Sequence, residues 1–180
     1  MARYRFILPV VALLLMLPAG SIAAAEEDPS LAAGRIPPIF ILAKSAEEHN
    51  GAWASAFHAS RTTDLTLAVI LPGNTQGEHE VELRIFTPRG HLYQSIRVPL
   101  APPGKSPENR TINGYPMAVP QVALKPEAYR GKTFLKAEIP FPVGGTQIST
   151  NSLYGRWRIE AYLDGNRKPS GDPTSLQIDE

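Results

Sequence analysis

Residues 153–166 read LYGRWRIEAYLDGN, with Trp157, Ile159, Ala161 and Leu163 at every second position and a stop at Asp164-Gly165. Successive side chains of an extended chain point to opposite faces. This spacing therefore suits a strand with one buried face and does not make the stripe of a helix, which repeats every 3.6 residues. The same period recurs along the chain. DLTLAVIL aligns Leu65, Leu67, Val69 and Leu71, and EVELRIF aligns Val81, Leu83 and Ile85 with Glu82 and Arg84 outward. HLYQSIRV returns Leu92, Ile96 and Val98 to the same face, where Gln94 breaks the alternation and needs a hydrogen-bond partner if buried. TFLKAEIPF aligns Leu135, Ala137, Ile139 and Phe141. IPPIFILA, whose Pro37 and Pro38 confine its start to a sheet edge, QVAL and the closing SLQIDE supply shorter strands.

The breaks between these runs carry turn chemistry. In TPRG, Pro88 suits position i+1 of a type I turn and Gly90 its end, and Asp164-Gly165 reverses the chain after the opening motif. The 18 prolines are scattered between the apolar runs, as connected strands require and long helices do not tolerate. SAEEHNGAWASAFHAS fits two readings. Ser45 with Glu48 makes a capping box and Trp53 with Phe57 a helical i, i+4 pair, but Asn50-Gly51 favours a turn followed by a strand, the reading adopted here. Turn signals roughly every ten residues predict an all-β chain, an antiparallel β-sandwich of seven to eight strands.

The first 25 residues stand apart. Arg3 and Arg5 precede an apolar run from Phe6 to Leu17 and a small-residue end at Ala23-Ala24-Ala25, the order of a secretory signal peptide cleaved before Glu26. The competing reading, a retained membrane anchor, is broken by Pro9, Pro18 and Gly20. Residues 26–34 read as a flexible leader and residues 35–180 as one domain. The chain has no cysteine, which removes disulfides and thiol chemistry and favours a bacterial periplasmic or secreted protein over a disulfide-dense animal domain. No second long apolar run follows, so a soluble product without a membrane span is expected after cleavage. Arg3 and Arg5 are two of the 18 basic residues; without them 16 face 17 acidic ones, a net charge of −1. That balance argues against nucleic acid, which needs a concentrated basic surface.

Two motifs carry a family resemblance. The P-x-G turn in TPRGHLY and the late GRWRIEAYLDG strand make residues from about 60 to 180 similar to bacterial immunoglobulin-like sandwich domains of exported envelope proteins, with macroglobulin-type domains showing related spacing. The resemblance implies an immunoglobulin-like sandwich with Trp157 plugging the core under a final hairpin. It departs from antibody domains in lacking a cysteine pair and carries no function with it.

No hydrolase, zinc-protease or phosphate-loop motif is present, so an enzyme and a cofactor are not expected. His79 and His91 fall at opposite ends of the predicted 79–98 hairpin, roughly 23 Å apart, too far to share a metal ion. Asp164, Asn166 and Asp172 could approach one another as calcium ligands, but Asp-Gly is already explained as a turn. Binding is the better expectation. Arg84, Phe86, Tyr93, Arg97, Arg156, Arg158 and Tyr162 point away from the predicted core, and arginine and tyrosine are enriched where proteins dock. Cross-strand pairing with Glu80, Glu82 and Glu160 accounts for the same residues without a ligand. Residues 99–120 form an unusually long connection that exposes Tyr115 and Met117 to a partner, or tucks Met117 and Val119 under the sandwich edge. The sequence thus predicts a non-catalytic accessory module that docks on another envelope or secreted protein through a sheet face and the 99–120 connection. The alternative is a module binding a carbohydrate or small ligand through exposed tyrosine and arginine.

Overall fold

The computed structural model describes residues 39–112 and 114–180. The signal segment, the leader and the Pro37-Pro38 start of the first strand lie outside the described residues. Among the described residues no helix is long and apolar enough to cross a membrane.

The described chain is mostly strand. In order it forms β1 (Phe40–Ser45), β2 (Trp53–Ala54), β3 (Ala56–His58), β4 (Asp64–Pro72), β5 (His79–Phe86), β6 (Leu92–Ala101) and β7 (Asn109–Arg110). There follow β8 (Val119–Pro120), β9 (Val122–Ala123), β10 (Lys125–Tyr129), β11 (Lys132–Pro142), a single-turn helix α1 (Gln147–Thr150), β12 (Gly155–Leu163) and β13 (Thr174–Asp179). One sheet has the order β10-β11-β4-β1-β2, a second β3-β13-β12-β5-β6-β9, and β7 pairs with β8 alone. Neighbours are antiparallel except β3 with β13 and β6 with β9.

The period-two runs form the core as their spacing requires. Leu65, Leu67, Val69 and Leu71 of β4, Val81, Leu83 and Ile85 of β5, and Leu135, Ala137, Ile139 and Phe141 of β11 are all buried. So are Trp157, Ile159, Ala161 and Leu163 of β12, and the two larger sheets share this one cluster. Rings join the sheets at its centre. Trp157 on β12 meets Phe141 on β11 at 6.4 Å and Tyr93 on β6 at 5.1 Å, with the rings steeply inclined.

Several expectations shift. The first strand begins at Phe40, four residues later than IPPIFILA suggests, because it pairs with β4 from Phe40 opposite Ile70. Residues 45–60 keep the expected order of turn before strand, with a short 3-10 turn at His49–Gly51 and then β2 and β3. The Ser45 hydroxyl does accept from the Glu48 N–H, at 3.3 Å, but no helix follows. Four elements have no counterpart in the sequence reading: the short β7 and β8 inside the 99–120 connection, β10, whose five residues are all exposed, and α1, which Thr146 caps by accepting from the Ile148 N–H.

The β5–β6 hairpin holds the largest correction. Its turn is as expected, with Gly90 N–H donating to Thr87 O at 2.8 Å and Gly90 at φ +82°. Beyond it the register slips, Ile85 facing Gln94 and Phe86 facing Leu92. Tyr93 is the extra residue of this bulge, and its ring turns into the core while Leu92 is left exposed. Gln94 is exposed and needs no buried partner.

Candidate functional site

The outward face of β12, β5 and β6 gathers most of the residues that the sequence singles out. Register places Arg158 opposite Phe86, Glu160 opposite Arg84, and Tyr162 opposite Glu82. On the other side of β5, Glu82 faces Arg97 and Arg84 faces Ser95. Opposite charges therefore stand across both ladders, the arrangement that favours pairing.

The contacts are tighter than ladder neighbours require. Arg84 grips Glu82 with two bonds, Nε to Oε1 at 2.8 Å and Nη2 to Oε2 at 3.2 Å. The Ser95 hydroxyl donates to the same carboxylate at 2.8 Å, and the Arg97 guanidinium lies 3.6 Å from it. The Arg84 guanidinium also lies over the Tyr162 ring at 4.1 Å, and Tyr162 donates its hydroxyl to Glu160 at 2.7 Å. Arg158 pairs with Glu160 and covers the Phe86 ring at 4.2 Å. Planar guanidinium groups suit both the fork on a carboxylate and the stack on a ring.

This network changes the expected exposure. Glu82, Glu160 and Tyr162 point outward from the sheet yet are buried, because arginines two residues away on the same strand (Arg84 for Glu82, Arg158 for Glu160) and from the neighbouring strand (Arg97 for Glu82, Arg84 for Tyr162) lie across them. Tyr162 is thus a foundation of the face and not part of its exposed surface, and Tyr93 has left the face for the core. Arg84 and the other donors hold Glu82 below the ordinary carboxylate range, against the opposing effect of burial. The bond to Glu160 pushes the Tyr162 hydroxyl up, and burial adds to this.

A groove of about 530 Å³ runs along this face, between Thr111 and Ile112 of the long connection and the turn at Asp164–Asn166. Glu80, Glu82, Arg84 and Arg97 form its floor. Asp164 does more than turn the chain. Its carboxylate accepts from the Glu80 N–H at 2.9 Å and contacts His79 Nδ1 at 2.8 Å, fastening the end of β12 to the start of β5. Sequence reasoning missed this clamp because Asp-Gly is fully explained as a turn at positive φ, which Asp164 and Gly165 both adopt.

The 99–120 connection is partly ordered by β7 and β8, and Gln121 and Glu108 close it with two bonds, at 2.8 and 3.1 Å. Ile112 is buried, and the Tyr115 hydroxyl accepts from the Arg97 N–H at 3.4 Å on the margin of β6. Met117 is 76% exposed. The alternatives therefore divide: Tyr115 lies against the sheet, Val119 is half-buried and Met117 stands in solvent. Arg156 is exposed further along β12.

Among the described residues no group of three or more histidine, aspartate or glutamate side chains is placed to hold a metal ion. No protein-family model matches the chain, and no curated protein matches it.

Proposed function

We propose that the chain is an exported, non-catalytic module that docks on another envelope or secreted protein through the outer face of β12, β5 and β6 and the adjoining 99–120 connection. One observation carries the reading. Arg84, Arg97 and Arg158 are held in place by buried carboxylates and rings beside a groove, so they meet a partner with little further loss of side-chain freedom. Arginine anchors over aromatic rings, with an exposed methionine in the connection that Tyr115 joins to β6, match the composition of protein interfaces. Export is supported by the order of residues 1–25 and by the lack of cysteine. Fewer rings on this face are open to a saccharide, since Tyr162 is buried, Tyr93 packs against the core and Arg158 covers Phe86.

The same proposal takes the fold as an immunoglobulin-like sandwich. Two sheets sharing one core, and a Trp157 strand running beside the β5–β6 hairpin, support it. The parallel β3–β13 and β6–β9 pairs and the short accessory strands depart from the seven-to-eight-strand pattern.

The test is affinity capture from the native envelope fraction with three baits: wild type, Arg158→Gln with Met117→Asp, and Lys132→Glu on the other sheet. The reading expects one protein at stoichiometric yield with wild type and Lys132→Glu and its loss from the double variant. Equal recovery with all three folded baits, or with none, overturns it.

A further inference from the structure

The outer face of the other sheet has a different chemistry. Phe40 and Leu42 of β1, Ile70 of β4, Phe134 of β11 and Tyr129 of β10 line an open groove of about 510 Å³, with Trp53 of β2 beside them. Phe40, Leu42 and Tyr129 are 60%, 42% and 62% exposed; among the described residues the other large apolar side chains left in solvent are Leu92 and Met117. The apolar strip crosses the strands from β10 to β2. Four strand spacings make it about 19 Å long.

A row of ion pairs runs through this strip. Lys44 Nζ lies 3.0 Å from Glu138 Oε1, and Lys136 Nζ lies 3.4 Å from the same atom and 2.5 Å from Glu127 Oε2. Both ammonium groups also lie against the Trp53 ring, at 4.7 and 5.5 Å. Two lysines and two glutamates leave the row without net charge, while each head retains hydrogen-bonding capacity toward solvent.

This pairing of rings with a neutral polar row selects among occupants. A second copy or an apolar protein face would press hydrocarbon onto the ion pairs and remove their water without replacing it. Edge-to-edge pairing through β10 is opposed by Lys125 and by Pro126, which has no N–H to offer. Arg130 lies over the Tyr129 ring at 5.3 Å but does not line the groove, so a charged ligand within the groove meets no excess of the opposite charge. An uncharged polyhydroxyl chain fits both parts, since the C–H faces of its rings lie on aromatic side chains and its hydroxyls exchange bonds with the lysines and glutamates. We infer that this groove is a second, separate site, which binds an uncharged, unbranched oligosaccharide across the strands, with Phe40, Phe134 and Tyr129 as stacking surfaces.

The chain contains its own reporter. It has two tryptophans, Trp157 in the core and Trp53 at the groove, so a ligand there changes the emission of Trp53. Cellohexaose, chitohexaose, cellobiose and palmitate serve as probes, with binding followed by fluorescence and calorimetry and the signal assigned with Trp53→Phe. At least one hexasaccharide should bind saturably, and cellobiose should bind much more weakly because it covers only part of the strip. Phe40→Ala and Tyr129→Ala, both at exposed positions that the fold does not need, should each weaken hexasaccharide binding about tenfold or more. Arg158→Gln, on the other sheet, should leave it unchanged. The inference is overturned if neither hexasaccharide binds the folded protein, or if both groove variants bind as wild type does. It is also overturned if palmitate alone binds, or if the groove variants abolish only a concentration-dependent self-association.

Discussion

Trp157 is wholly buried, and its indole N–H donates to the Leu153 carbonyl at 3.0 Å, so the largest core side chain leaves no polar atom stranded. Its contacts with Tyr93 and Phe141 tie β12, β6 and β11 together. Trp157→Ala should therefore cost about 3–5 kcal/mol in urea unfolding, and a loss under about 1 kcal/mol would show that the ring is not the central contact between the sheets. Glu48 is a second residue with a defined task. Its buried carboxylate accepts from the His58 N–H at 2.8 Å and the Thr62 hydroxyl at 3.2 Å, and contacts His58 Nδ1 at 3.2 Å. It thereby pins β3 and the 59–62 turn to the end of β1. Glu48→Gln keeps the shape but loses the charge and one acceptor. It should lower stability at pH 7 by about 1–3 kcal/mol, read from the shift in urea midpoint.

At the scale of elements, turns and close approaches decide what the chain can tolerate. Gly90 has φ +82° with nothing within 4 Å of where a Cβ would stand, so Gly90→Ala adds only backbone strain, about 1–2 kcal/mol. Gly171, at φ +120°, lies where a Cβ would come within 2.4 Å of the Ile39 carbonyl oxygen, beside the bond from the Ile39 N–H to Ser170 O. Gly171→Ala must displace β1 from the β12–β13 connection and should cost more than Gly90→Ala in parallel melts; equal losses would refute the close approach. The sequence made the main strands legible because one-sided burial leaves a period of two, and it made the Thr87–Gly90 turn legible because proline and glycine have fixed places there. The Tyr93 bulge was not legible, since it depends on space beside Trp157 in a strand distant in sequence. Nor was β10, whose exposed KPEAY has no apolar alternation. On the candidate site, alternation placed the arginines correctly but could not foresee that they would cover Glu82, Glu160 and Tyr162. The aromatic groove was overlooked because Phe40, Leu42 and Ile70 fall on the face that alternation assigns to solvent.

Across the whole set of described residues, carboxylates on both sheets are placed so that folding favours their charged form. The Lys44 ammonium beside Glu138 and the Arg84 guanidinium beside Glu82 hold both below the ordinary value of 4.5. Burial alone would raise Glu48, but the bonds from His58 and Thr62 outweigh it and leave it lowered too. Each of these groups takes up a proton more readily in the unfolded chain, at 4.5, than in the folded one. Their contribution is therefore complete above the unfolded value and is lost as pH falls through the lower folded values, where unfolding releases the constraint and binds protons. Urea midpoints should stay level from pH 7 to about 5.5 and then fall steeply below about 4.5. Glu48→Gln lacks one of the titrating groups, so its curve should be lower at pH 7, fall less steeply and approach that of wild type near pH 3. Parallel curves for the two proteins would mean that Glu48 does not couple proton binding to folding, and the acid loss would then have to come from the arginine and lysine pairs of the two outer faces.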